Sequence, residues 1–164
     1  IYLDDILLLN QDPLQLAIQT SQVARMLEAL GFQINVPKSQ MLPSQSLKFL
    51  GFLINTQTMI IQLPTDKKQA ILKETQSLLS KPLISPRDLS RIIGKFNSIV
   101  LAVFPAPLHY RALQHLRRTA LQSGSYDTLI PLSIEAKEEL LWWEQNLRHF
   151  NGRPLYDDKI VLMI

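Results

Sequence analysis

Two adjacent carboxylates, Asp4 and Asp5, sit between Tyr2-Leu3 and the aliphatic run Ile6-Leu7-Leu8-Leu9. An apolar run closed by the turn signal Asn10-Gln11-Asp12-Pro13 predicts a buried strand. Charges beside such a strand must be solvated, paired or bound to a cation, because desolvating an unpaired carboxylate is very costly. A tight hairpin turn that presents Asp4 and Asp5 to a divalent metal meets that demand. Hard oxygen ligands suit Mg²⁺, or Mn²⁺ in its place, with water and substrate phosphates completing the shell. A solvated Asp-Asp turn is the plain alternative.

The elements that would position these acids follow in order. Val23, Met26, Leu27 and Leu30 fall at helical spacing within Leu14 to Leu30, and Gly31 is a natural stop. Phe32, Ile34 and Val36 alternate as a half-buried strand would. Pro43 to Ser46 break the chain. Leu47 to Ile54 then reads as a strand, with Gly51 a cue for a bulge or for close approach of another backbone. The polar turn Asn55-Thr56-Gln57-Thr58 joins it to Met59–Leu63 as a hairpin.

From Pro64 onward the pattern is helical. Ile71, Leu72, Leu78 and Leu79 mark one helix. Ser85-Pro86-Arg87-Asp88 is an N-terminal signature of cap, first-turn Pro and favourable acid. Leu89, Ile92, Ile93, Phe96 and Val100 give the next helix its apolar face, while Arg87, Arg91 and Lys95 recur every four residues along one stripe. Such a stripe suits a sugar-phosphate backbone, and it is also what an ordinary amphipathic helix displays. Pro105 and Pro107 end that helix. A further one from about Leu108 carries Arg111, Arg117 and Arg118. A break at Gln122 to Ser125 precedes a last helix, capped by Ser133.

Tyr2-Leu3-Asp4-Asp5 on a strand–turn–strand resembles the catalytic motif of reverse transcriptases. The ordered segments downstream extend the resemblance. Leu30-Gly31-Phe32-Gln33-Ile34-Asn35-Val36-Pro37-Lys38-Ser39 is similar to the family's helix–Gly–strand–Lys segment. Leu47-Lys48-Phe49-Leu50-Gly51-Phe52-Leu53-Ile54 looks like the primer-grip hairpin. Ser85 to Lys95 and Pro105 to Gln114 resemble the thumb and connection of tyrosine-recombinase (DIRS-type) retrotransposons, with retroviral-like elements as the alternative within the family. Leu132-Ser133, Trp142-Trp143 and Asn151-Gly152-Arg153-Pro154 are similar to the link placed before a ribonuclease H domain.

The resemblance implies an α+β fold: the C-terminal part of a reverse-transcriptase palm (hairpin, helix, strands) followed by an all-helical thumb and connection. Its parts are a partial palm at 1–63, a thumb-like region at 64–124, a connection helix and loop at 125–158, and the first ribonuclease H-like strand at 159–164. The fingers, the first half of the palm and a further metal-binding Asp would precede Ile1. The chain is therefore expected to be a piece of a longer polyprotein, inactive alone.

The implied activity is RNA-directed DNA polymerisation, extending a primer on an RNA or DNA template with deoxynucleoside triphosphates. Asp4 and, less directly, Asp5 would hold Mg²⁺, since two-metal phosphoryl transfer clamps ions ~3.5–4 Å apart. Tyr2 and Leu3 would shape the nucleotide pocket. Lys38 would approach the triphosphate, a solvated loop Lys being the alternative. Phe49, Leu50, Gly51 and Phe52 would position the primer end, and Arg87, Arg91 and Lys95 would track the template–primer backbone. The competing reading is a non-catalytic nucleic-acid-binding remnant of a decayed element. A helical scaffold that offers Trp142 or Trp143 to a protein partner is a third.

Composition fits these expectations. At 164 residues and 46% hydrophobic, the chain can bury a sizeable core. No cysteine is present, which excludes disulfides and thiol chemistry. The apolar runs fall short of the ~20 residues of a bilayer span, so an intracellular site, cytoplasm or nucleus, and no membrane partner are expected. Net charge is +3, but residues 61–120 carry ten Lys/Arg against three Asp/Glu, which localises a candidate phosphate-facing surface to the thumb-like part. Tyr156-Asp157-Asp158 reads as an exposed turn. His109, His115 and His149 lack metal-ligand spacing, and at least one of Trp142 and Trp143 is expected in the core.

Overall fold

The structure, a computed structural model, describes residues 4–150 and 152–155. Local chemistry sets the first helix, α1 (Pro13–Ala29). Asp12 accepts from the backbone N–H groups of Leu14 and Gln15, and Pro13 occupies the first turn, where its missing N–H costs nothing. At the other end Gly31 takes φ +88°. The N–H of Phe32 donates to Leu27 O and that of Gly31 to Glu28 O, the paired bonds of a Schellman stop.

Two expected strands are absent. Residues 6–10 have no regular structure, and Leu9 is 72% exposed rather than buried. The Phe32–Val36 segment is irregular and ends in a 3₁₀ turn, Val36–Lys38. Pro37 has a fixed φ and no N–H to donate to a ladder, and the turn closes instead through Lys38 N–H to Asn35 O. α1 exists where expected but has no fully buried residue.

The sheet is an antiparallel meander of β1 (Ser46–Phe49), β2 (Phe52–Asn55), β3 (Ile60–Gln62) and β4 (Arg153–Pro154), in that order. The expected single strand from Leu47 to Ile54 is itself a hairpin. Leu50 and Gly51 both take positive φ, +48° and +76°, the sign pattern of a two-residue type I′ turn, whose twist matches its strands. Gly51 is thus a turn residue, not a bulge. The Asn55–Thr58 turn is as expected, with the Asn55 side chain accepting from the N–H groups of Gln57 and Thr58.

Four helices carry the core: α2 (Thr65–Ser80), α3 (Pro86–Asn97), α4 (Arg111–Ser123) and α5 (Ile134–Asn146). α2 packs on α3, α3 on α4, α4 on α5 and α5 on α2, which closes a ring. Ser85 caps α3 in a reciprocal capping box with Asp88. Leu89, Ile92, Ile93 and Phe96 are buried as their spacing requires. A bridge between Ile84 and Ile130 ties the α2–α3 link to the α4–α5 link. Phe52 and Leu63 join the same cluster of buried residues and seat the sheet on the bundle. Segments 64–124 and 125–147 therefore share one core. The fold is mixed α+β.

Candidate functional site

Asp4 and Asp5 are both exposed, so their charges stay solvated at no desolvation cost. Tyr2 and Leu3 lie outside the described residues, as do Tyr156-Asp157-Asp158 and the run 159–164. Among the described residues no group of three or more His, Asp or Glu could hold a metal ion. Two neighbouring carboxylates fit one hydrated Mg²⁺, which takes one or two protein acids and keeps several waters. A two-ion clamp needs a further carboxylate that these residues do not bring.

Lys38 is exposed in its 3₁₀ turn. The hairpin residues divide. Leu50 and Gly51 form the exposed tip, Phe49 is half-buried, and Phe52 is 7% exposed. Phe52 is therefore a core residue that supports the hairpin from below, as alternation along the strand requires of part of this segment. Among the described residues no hydrogen bond or ion pair joins Asp4 or Asp5 to Lys38 or to this tip.

The hairpin is fastened to the bundle by Lys67 at the start of α2. Its Nζ reaches Gly51 O and Ser98 O, each at 3.5 Å, and lies 4.9 Å from the centre of the Phe52 ring. Partial burial pushes the Lys67 amine below its ordinary pKa. Lys68 beside it, lowered for the same reason, donates to Phe150 O. Sequence periodicity could not single out either lysine, because what distinguishes them comes from residues far along the chain.

Arg87, Arg91 and Lys95 do line one face of α3, but each has a carboxylate partner. Arg87 makes a two-pronged pair with Asp127, at 2.8 and 3.1 Å. The Asp127 hydrogen bond and charge push the Arg87 pKa up, and those of Arg87 push the Asp127 carboxyl down. Arg91 binds Asp88 at 2.8 Å and lies 3.7 Å from Glu74. Lys95 pairs with Glu74 as well. The stripe is locally neutralised. Asp127 is exposed, whereas Asp88 and Glu74 are largely buried, so the Arg87 pair is the one most open to exchange with solvent.

Asp88 links this face to stability. Partial burial pushes its carboxyl up. The Ser85 N–H, Lys81, the Ser85 hydroxyl and Arg91 outweigh that and hold it below the usual range. A carboxyl that titrates below its unfolded value of about 3.9 stabilises fully above that pH. The contribution fades as pH falls through the lower folded value. Asp88→Asn is expected to cost about 1 kcal/mol at neutral pH, the worth of a helix cap, and to flatten the stability curve below about pH 4. Thermal melts across pH 2–7 check this; an unchanged acid limb would remove Asp88 from it.

At the other end of the bundle, Trp143 is fully buried, stacked on Phe96 with centroids 4.0 Å apart, and donates from Nε1 to His109 O. Trp142 is half-buried and stacks on the His109 ring at 3.5 Å. Burial lowers the His109 pKa, with Glu139 opposing. Glu139 accepts from the N–H groups of Ala112 and Leu113 at 2.9 and 3.0 Å. It thereby caps α4, whose own N-cap residue Tyr110 offers no side-chain bond. These groups serve architecture.

Among the described residues no helix is long and apolar enough to cross a membrane. Compared with protein-family models, with curated proteins and with solved structures, the chain matches none of them.

Proposed function

We propose that this chain is the C-terminal part of a reverse-transcriptase palm with its thumb and connection, acting in RNA-directed DNA synthesis on a template–primer. The observation that carries the reading is the order of parts. An exposed acid pair comes first, then a helix. A two-residue hairpin with a bare Leu50-Gly51 tip follows, and Lys67 fastens it to a helical bundle.

Each part has a task under this reading. Asp4 and Asp5 hold hydrated Mg²⁺, and a further carboxylate completes the clamp. The metal, when bound, lowers the pKa of a primer 3′-hydroxyl and balances charge on the phosphates. Gly51 adopts its positive φ without strain, and a Cβ there would stand 3.1 Å from Lys67 Nζ. The missing side chain thus makes room for the lysine that holds the tip, and the exposed tip is the part offered to a sugar-phosphate backbone. Core placement of Phe52 and the Lys67 fastening fix the height of that tip above the bundle. Arg87, Arg91 and Lys95 exchange their carboxylate partners for backbone phosphates as the duplex docks.

Binding of a fluorescent primer–template duplex across a salt series tests the partner. Each phosphate neutralised contributes about −0.9 to the log–log slope. Changing Arg87, Arg91 and Lys95 together to Ala is expected to weaken binding and flatten the slope by about 2–3. Wild-type binding without salt dependence would overturn the proposal. So would a triple variant indistinguishable from wild type, for this stripe.

A further inference from the structure

The Asn151-Gly152-Arg153-Pro154 stretch, similar in sequence to a linker, includes a built element in the fold. Gly152 takes φ +113°, and a Cβ there would collide with Ile61 O and stand 2.8 Å from Ile60 Cγ2. Only glycine lets the chain come this close to β3. The next residue, Arg153, then pairs opposite Ile61. Strand alternation puts Arg153 on the same sheet face as Ile61 and Ile54, the face toward the bundle. Its guanidinium lies 5.0 Å from the centre of the Phe104 ring. Among the described residues Arg153 has no carboxylate partner, unlike Arg87, Arg91 and Lys95.

Phe104 is unusual in a different way. It is 70% exposed although Ala102, Val103 and Ala106 around it are buried and hold its segment in place. Leu101 and Leu108 flank it, 60% and 73% exposed. A large ring held in the open, with the half-buried Arg153 guanidinium against it, is poorly explained as core. Pro154 removes a donor from the outer edge of β4, which disfavours an added peptide strand as the occupant.

We infer that Phe104 and Arg153 form a seat for one nucleotide of single-stranded nucleic acid, its base stacked on the Phe104 ring and its phosphate held by the Arg153 guanidinium. Base stacking needs only an open π-face and is indifferent to sequence. Arginine is suited to the second task because its planar fork can lie against an aromatic ring and still donate to phosphate. Gly152 and Pro154 are positioning residues that deliver Arg153. The inference rests on the nucleic-acid partner proposed above, and it assigns single-stranded contact to residues other than those of the α3 stripe.

The test measures fluorescence anisotropy of a labelled oligothymidine and of a labelled blunt duplex with the full chain. Wild type is compared with Phe104→Ala, Phe104→Trp and Arg153→Ala. Phe104→Ala is expected to weaken single-strand binding roughly tenfold with an unchanged salt slope, and Phe104→Trp to retain it. Arg153→Ala is expected to weaken binding and reduce the magnitude of the slope by about 0.7, the loss of one phosphate contact. Duplex binding should stay within about twofold for all three. The exposure of Phe104 makes its substitution tolerable, and circular dichroism verifies folding. Single-strand affinity unmoved by Phe104→Ala while the duplex still binds would overturn the seat and leave the broader reading standing. Failure of wild type to bind either nucleic acid would overturn both.

Discussion

Trp143→Ala is expected to lose about 3–5 kcal/mol of stability, the usual range for deleting a buried Trp or Phe. The ring is fully buried, lies nearly parallel to Phe96 at 7°, and meets the edge of Trp142 at 89°. Its Nε1 is also the donor to His109 O, so the same deletion leaves a carbonyl unpaired beside a cavity. Through Phe96 the ring joins α5 to α3, and through His109 to the segment before α4, so the loss reaches beyond α5 itself. Domains of this size have about 5–15 kcal/mol in total; the variant would stand near the edge of folding. Trp143→Phe keeps the stack on Phe96 and gives up mainly the hydrogen bond, about 1 kcal/mol. Urea unfolding followed by circular dichroism separates the cases. A loss below about 1 kcal/mol for Trp143→Ala would contradict its core position.

That placement of Trp143 was legible only in part. Adjacent helical residues point about 100° apart, so one of the pair had to face inward, but periodicity alone did not choose. The elements read correctly are those specified by neighbours in sequence. Ser85-Pro86-Arg87-Asp88 folds into its capping box because every partner lies within one turn. Gly31 stops α1 for the same reason. The misread elements needed partners that sequence does not supply. Ile6–Leu9 and Phe32–Val36 have apolar or alternating patterns, but a strand exists only against another strand, and residues 6–10 and 32–35 adopt no strand. Conversely β4 escaped notice because two residues are too short to show a period. They pair with Ile60 and Ile61, far along the chain.

The candidate site divides along the same line. The stripe of Arg87, Arg91 and Lys95 follows from helical spacing, whereas its carboxylates come from three different elements and loops, Asp127, Asp88 and Glu74. The hairpin was placed correctly but its turn was not. Leu50-Gly51 lacks the usual Asn-Gly signature of a two-residue turn, and a leucine at φ +48° is set by the fold around it. Lys67 gains its place through Gly51 and Ser98, neither near it in sequence.

The acid pair would carry the largest functional consequence under the proposed function. Under the proposed polymerase reading, Asp4→Asn in the protein that contains this chain is expected to cut templated primer extension by roughly a hundredfold or more, since metal stabilisation of phosphoryl transfer is worth several kcal/mol. Asn keeps the size and one carbonyl oxygen but loses the charge that holds a hard cation. Asp4 is exposed, and among the described residues the substitution strands no partner. Folding should therefore be unaffected, and circular dichroism should match wild type. Asp5→Asn, at the less direct position, is expected to lose less. Duplex binding should change little in either variant, because the cations proposed to meet phosphates, Arg87, Arg91 and Lys95, lie elsewhere. The two competing readings part here. A polymerase loses synthesis and keeps binding, whereas a non-catalytic remnant has no synthesis to lose. Full extension by Asp4→Asn would remove that residue from the chemistry and leave the Asp4-Asp5 pair as the solvated turn that its exposure also permits.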